Sequence, residues 1–137
     1  MEFTYDAYAN LIDTIQESSY TITDYHEYHD VQFPCILRHD IDYSIERAVR
    51  FAKQEKELGV KSTYFVLVSS DFYNIFSCDV GEKIQQLIEY GHEVGLHFDE
   101  TVYEKNEAYE ERIIDYILKE RDLLAQVCGR EVSVVSM

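Results

Sequence analysis

The segment Cys35-Ile36-Leu37-Arg38-His39-Asp40-Ile41-Asp42 turns from apolar to acidic within a few residues and ends on two carboxylates. A short apolar run that breaks into charge is the pattern of a buried parallel strand emerging at the functional face of an α/β fold. Strand side chains alternate, so Arg38, Asp40 and Asp42 share one face while His39 and Ile41 share the other. Two carboxylates at a strand's C-terminal end can hold a cation, or divide the roles of metal ligand and general base. The same Asp-x-Asp also suits a turn or the N-cap of the following helix.

The rest of the chain alternates helical and extended patterns around this segment. Phe3, Ala7, Tyr8, Leu11, Ile12 and Ile15 recur at helical spacing between about Thr4 and Ser18. Tyr20 to Asp30 has no clean period and reads as a connecting loop with at most a short helical turn. Its His26 and His29 are spaced like metal ligands but read as surface side chains. Ser44 caps a helix that runs to about Leu58 and closes at Gly59. Ser62 to Val68 is a strand of β-branched and aromatic residues, and the Ser69–Ser77 loop after it carries aromatic and hydroxyl groups suited to a pocket. A helix from about Val80 to Tyr90, a strand from about Glu93 to Asp99, a helix from about Glu104 to Val127 and a strand from Val132 to Met137 complete the pattern.

Such alternation implies right-handed crossovers and a parallel sheet. The reading is one α/β domain, the N-terminal part of a larger distorted (β/α) barrel, with residues 1–33 as helix and connecting loop and 34–137 as the βαβ core. A strand left at an open sheet edge is a place for self-association.

With 46% hydrophobic residues and a single proline in 137, the chain has the material for a core. Its formal net charge of -15 repels nucleic acid and anionic membrane surfaces, so neither is expected as a partner. The start, Met1-Glu2-Phe3-Thr4-Tyr5-Asp6, lacks a basic segment followed by an apolar one, and no run is long enough to cross a bilayer. The reading is a cytoplasmic protein. Cys35, Cys78 and Cys128 are odd in number and widely spaced, which fits neither a disulfide framework nor a clustered zinc site.

A second segment, Gly91-His92-Glu93-Val94-Gly95-Leu96-His97-Phe98-Asp99, alternates cleanly. Val94, Leu96 and Phe98 take the apolar face, and Glu93, Gly95, His97 and Asp99 the polar one. His97 and Asp99 then stand at the same end of the sheet as Asp40 and Asp42, and imidazole with carboxylate is an ordinary donor set for zinc or a similar divalent metal. His92 falls on the apolar side and reads as a buried structural histidine bonded to backbone. Glu93 either supports a ligand from behind or pairs with Arg38.

Three stretches in order, Arg38-His39-Asp40-Ile41-Asp42-Tyr43-Ser44, Leu58-Gly59-Val60-Lys61-Ser62-Thr63-Tyr64-Phe65 and Gly91 to Asp99, resemble successive motifs of the polysaccharide deacetylase (NodB-homology) family. The resemblance covers about residues 34–100. It implies a distorted (β/α) barrel and metal-dependent removal of acetyl groups from N-acetylated sugars, with a carbohydrate substrate and a divalent ion, zinc first. It also implies that Asp40 is the catalytic base and that Asp42 and His97 bind the metal. Many members carry a further histidine four residues beyond the ligand, where this chain has Thr101; Asp99, a water or another residue then completes the shell. A positioning arginine and a general-acid histidine come from later strands of the family. Tyr64, Phe72 and Tyr73 are the candidates for stacking on a sugar ring.

Two other readings stand beside this one. Asp40-Ile41-Asp42-Tyr43-Ser44 also suits the nucleophile loop of a haloacid-dehalogenase-like phosphohydrolase, which leaves Gly91 to Asp99 unexplained. A deacetylase-like module that binds saccharide or metal without chemistry is the non-enzymatic alternative.

Overall fold

The Thr4 hydroxyl accepts the Ala7 N–H, and helix α1 (Tyr5–Glu17) runs from that cap with Tyr8 and Ile12 on its buried side. The structure is a computed structural model that describes residues 4–137, so Phe3, the first position of the expected stripe, lies outside it.

The expected loop after α1 contains a strand. Three residues, β1 (Thr21–Thr23), pair in parallel with β2 (Pro34–Ile36), and a 3-10 turn at Tyr28–Asp30 lies between them. The single strand expected from Cys35 to Asp42 therefore divides. β2 belongs to this two-stranded ribbon, and after Leu37 the chain enters the main sheet as β3 (Arg38–Ile41). A strand of three residues is too short to show a period, which is why Thr21-Ile22-Thr23 was invisible to pattern.

Ser44 caps α2 (Ile45–Glu57) by accepting the Arg47 N–H, and Gly59, at φ +74°, supplies the left-handed residue that ends it. Then come β4 (Thr63–Leu67), α3 (Cys78–Glu89) capped by Ser77, and β5 (Glu93–His97). α4 (Tyr109–Cys128) begins later than expected. Asn106 holds the preceding chain in a turn, its side chain accepting the Ala108 N–H and its carbonyl the Tyr109 N–H. β6 is short (Val135–Ser136).

The main sheet has the order β3-β4-β5-β6, all parallel, with sequential neighbours throughout. On one face Ile41, Tyr64, Val66, Val94 and Leu96 meet α2, α3 and α4, joined by Ile84, Leu87 and Leu124. Each such aliphatic side chain removed from water contributes about 1.5–3 kcal/mol. On the other face Arg38, on one edge strand, donates a 2.7 Å hydrogen bond to Ser136 on the opposite edge strand. A side chain can bridge the two edges only if the sheet curls, and this concave face is part of a (β/α) barrel interior.

The helix-side layer also holds a polar cluster. Glu55 of α2, fully buried, accepts from Tyr8 (2.7 Å), His39 (3.1 Å), Ser62 and Tyr64, and so ties α1, β3 and β4 to α2. Beside it His92 accepts the Ser62 N–H at Nδ1 (3.0 Å) and donates from Nε2 to the Ala52 carbonyl (2.9 Å). His92 is thus the buried, backbone-bonded histidine that its place on the apolar side implied. The three cysteines are free, and burial pushes the Cys128 thiol up to about 11. Among the described residues no helix is long and apolar enough to cross a membrane.

Candidate functional site

Alternation along β3 and β5 brings two groups together on the concave face. Asp40 Oδ1 lies 3.6 Å from His97 Nδ1, too far for a good hydrogen bond. That ring nitrogen is buried and has no hydrogen-bond partner. A buried imidazole nitrogen without a partner calls for an explanation, and a ligand or ion is one.

Asp40 is held from below. Arg38 Nη2 donates to Asp40 Oδ1 at 2.7 Å, and the guanidinium lies over the Phe65 ring, 4.6 Å from its centroid. Gly95, opposite Phe65 in the register, makes room for that ring. A Cβ there would stand 2.7 Å from Val134 Cγ2 and 2.8 Å from Phe65 Cε1. The short backbone of β5 thus lets Phe65 lie flat, Phe65 supports Arg38, and Arg38 fixes the carboxylate.

Asp42 follows β3. The register pairs Ile41 with Val66 and Leu67 with His97, so Asp42 comes level with Leu67 and His97. The strand ends there are tied by Tyr73, whose hydroxyl donates to the Ile41 carbonyl (2.6 Å) and accepts the Leu67 N–H (2.8 Å). Burial pushes that hydroxyl up to about 12, the Leu67 hydrogen bond acting against it and the Asp42 charge with it.

Other expected residues stand elsewhere. Asp99 Oδ1 accepts both the Thr101 hydroxyl (2.6 Å) and the Thr101 N–H (2.9 Å), which lower its pKa and make it the cap of the 3-10 turn at Glu100–Val102. Thr101, where the resemblance sets a second histidine, is itself engaged by Asp99. Tyr64 is only 1% exposed, on the helix side with its hydroxyl given to Glu55, so it does not reach the concave face. Tyr73 has spent its hydroxyl on backbone. Phe72 is solvent-exposed and meets Tyr43 edge-on. Glu93 pairs with His26 at 2.7 Å rather than with Arg38, and that contact raises the His26 pKa. His29 packs on Tyr28.

The donor types suit a divalent ion: an orphaned imidazole nitrogen with a carboxylate 3.6 Å away is chemistry that zinc accepts. Among the described residues, however, no three His, Cys, Asp or Glu side chains are gathered into a cage. An ion here would rest on few protein donors and keep its remaining positions open. A cavity of about 350 Å³ opens on the helix side of β3, toward α2, with His39, Ile41, Phe51 and Tyr64 among its walls besides Asp40, Asp42 and Arg47.

No family model matches the chain, and no curated protein matches it. Among solved structures it is similar to a Streptococcus pyogenes deacetylase, PplD, in complex with acetate, with a TM-score of 0.70 over 96% of this chain and 61% of that one. The fold is deacetylase-like. At 12% identity the likeness is one of fold, and the chain spans about three fifths of that neighbour's length. The C-terminal ends of parallel strands are where α/β folds generally assemble sites, and Asp40, Asp42 and His97 stand at or next to them.

The sequence pattern missed three relations. Arg38 and Asp40, two apart on one strand face, were placed together by period alone, yet the sequence offered Glu93 equally well. Tyr43 carries no signal beyond following Asp42. The Glu55 cluster was concealed among the glutamates of a charged helix.

Proposed function

We propose that the protein is a metal-dependent hydrolase that removes acetyl groups from N-acetylated carbohydrate. The observation that supports this most is the approach of His97 Nδ1, buried and unpartnered, to Asp40 Oδ1 at 3.6 Å, at the strand ends of a deacetylase-like sheet. Asp42 and His97 are the residues that hold the ion, zinc first. When bound, the ion supplies Lewis acidity toward the amide carbonyl and makes a nearby water more acidic.

Asp40 is the base. Arg38 occupies its Oδ1 and fixes the carboxylate plane, which leaves Oδ2 to take the water's proton. Water oxygen then bonds to the amide carbon. Asp40 returns the proton to the nitrogen as the C–N bond breaks, giving acetate and a free amino sugar.

Acetate release from a panel of N-acetylated mono- and oligosaccharides by zinc-loaded protein tests the reading. Release that disappears in Asp40→Asn is the expected result. No release from any member, or release unchanged by that substitution, overturns it. The Thr101 hydroxyl, closed on Asp99, favours a second reading in which the module binds saccharide or metal without turnover. Saccharide binding with no acetate release is the outcome that selects it.

A further inference from the structure

The helix side of β3 carries a second set of groups, across the strand from Asp40. His39 and Asp40 alternate, so His39 faces α2 and lines the cavity of about 350 Å³ there. Nothing in the hydrolytic reading uses this cavity.

We propose that it binds a small monoanionic carboxylate, whose ring lies along the apolar walls and whose far end carries a hydroxyl. The site stands independently of the deacetylase reading, because the groups that would hold the ligand, Arg47, Phe51 and His39, are not on the concave face.

Charge is supplied at the start of α2. The neighbouring Arg50 leans toward Glu46 at 3.8 Å, whereas the Arg47 guanidinium has no partner among the described residues. In a chain with 27 acidic and 12 basic residues, an arginine left without an acid is out of keeping with the composition. Its planar fork matches a carboxylate in two parallel hydrogen bonds. Ser44, also on the wall, takes the Arg47 N–H, and the Ile45 and Glu46 N–H groups of the same first turn add to the positive end of a 13-residue helix.

The inner end supplies an acceptor. His39 gives Nε2 to the Glu55 carboxylate at 3.1 Å, and Glu55 is fully buried behind it. A proton held on Nε2 by that bond leaves Nδ1 as an acceptor, and Nδ1 has no hydrogen-bond partner among the described residues. A ligand hydroxyl can donate to it.

The walls between these ends are apolar: Ile41, Ala48, Phe51 and Tyr64, with Phe51 meeting the His39 ring edge-on at 5.1 Å. Arg47 and Phe51 lie four residues apart on α2, about 6 Å along its axis, which is the span of a para-substituted benzene ring. A pocket of mostly apolar walls with few, well-separated polar groups is the usual form of a small-molecule site. Of the two acids on the wall, Asp40 turns its carboxylate to Arg38 on the concave face, and Asp42 is exposed at the strand end. A dianion would meet the repulsion of the net charge of -15 twice over, which favours a monocarboxylate over a phosphate ester.

Titration of para-hydroxybenzoate into the protein, followed by amide NMR spectra, tests the site, with phenol and benzoate as the two half-ligands. Saturable shifts at Ile41, Ser44, Ala48 and Phe51, with Gly95 and His97 unmoved, are the expected result. Phenol, which lacks the carboxylate, is expected to bind at least about tenfold more weakly. Benzoate, which lacks the hydroxyl, is expected to bind about threefold to tenfold more weakly. Arg47→Gln, at an exposed position, is expected to weaken para-hydroxybenzoate about tenfold and to leave phenol unchanged. Ala48→Leu keeps a good helix former while filling the cavity, and is expected to abolish binding of all three compounds. Phenol or benzoate binding as tightly as para-hydroxybenzoate overturns the assigned ligand class. Shifts confined to Gly95 and His97, binding unaffected by Ala48→Leu, or no saturable shift at all overturns the site.

Discussion

Arg38 donates a 2.7 Å hydrogen bond to Asp40, two residues further along the same strand, and the same nitrogen reaches Ser136 across the concave face. A planar guanidinium lying on Phe65 can serve both oxygens at once, whereas an ammonium is a compact point charge that does not stack in the same way. The partners are about two-fifths exposed, so water screens the pair and its contribution to stability is small. Its effect is on orientation. Arg38→Lys is expected to lower kcat for acetate release on the order of tenfold to a hundredfold with little change in KM, because misplacing a base affects the reacting geometry more than binding. A rise in KM at constant kcat would place Arg38 in substrate binding instead.

Asp40→Asn and His97→Ala separate the two halves of the site. Removing the base is expected to cost about 10²- to 10⁴-fold in kcat while bound zinc, measured by elemental analysis, stays at the wild-type level. Removing the imidazole is expected to lose both zinc and activity. If Asp40→Asn also loses zinc, Asp40 is a ligand and the division of labour between the carboxylates is reversed.

The outline of the fold was legible because period and punctuation agree along most of this chain. Ser44 and Gly59 bracket α2, and the alternation from Glu93 to His97 puts Val94 and Leu96 in the core. Which side chains share the concave face was legible for the same reason, since a two-residue period fixes which of Arg38, His39, Asp40 and Ile41 faces inward. What failed were features set by tertiary contact. Nothing local reveals that Leu37 separates two sheets, that Glu93 meets a histidine 67 residues away, or that the Tyr64 and Tyr73 hydroxyls are spent on Glu55 and on backbone. Aromatic residues in a strand or loop carry the same composition whether they line a mouth or lock a core, and only their partners decide.

Gly95 tests the stacked arrangement beneath the site. A methyl group there meets Val134 and Phe65 at under 3 Å, and the Phe65 ring is buried. Gly95→Ala is expected to destabilise the fold by about 1–3 kcal/mol, the usual cost of overpacking, and to displace Phe65 from beneath Arg38. Denaturant unfolding measures the first effect and the kcat for acetate release the second. An unchanged midpoint would mean that the interior yields more readily than its contacts imply.

Glu55 and His92 give the chain an acid-sensitive interior. Burial alone would raise the Glu55 carboxyl, but the His39 hydrogen bond and charge, with the Ser62 and Tyr64 hydroxyls, outweigh it and lower the value from 4.5 to about 2. The unfolded chain therefore takes up this proton at a higher pH than the folded one. The associated stability, on the order of 3 kcal/mol, is complete above about pH 5 and is lost as pH falls toward 2. His92 acts earlier. Burial lowers its pKa below 6.5, so the unfolded state gains a proton that the fold refuses, and stability begins to fall below that pH. Urea midpoints measured across pH 7 to 2 are expected to decline in two stages. Glu55→Gln should lower stability at neutral pH and flatten the stage below pH 4.5, while His92→Gln should flatten the upper stage alone. A Glu55→Gln profile parallel to wild type down to pH 2 would show that the carboxylate is not held as a charged acceptor by its four donors.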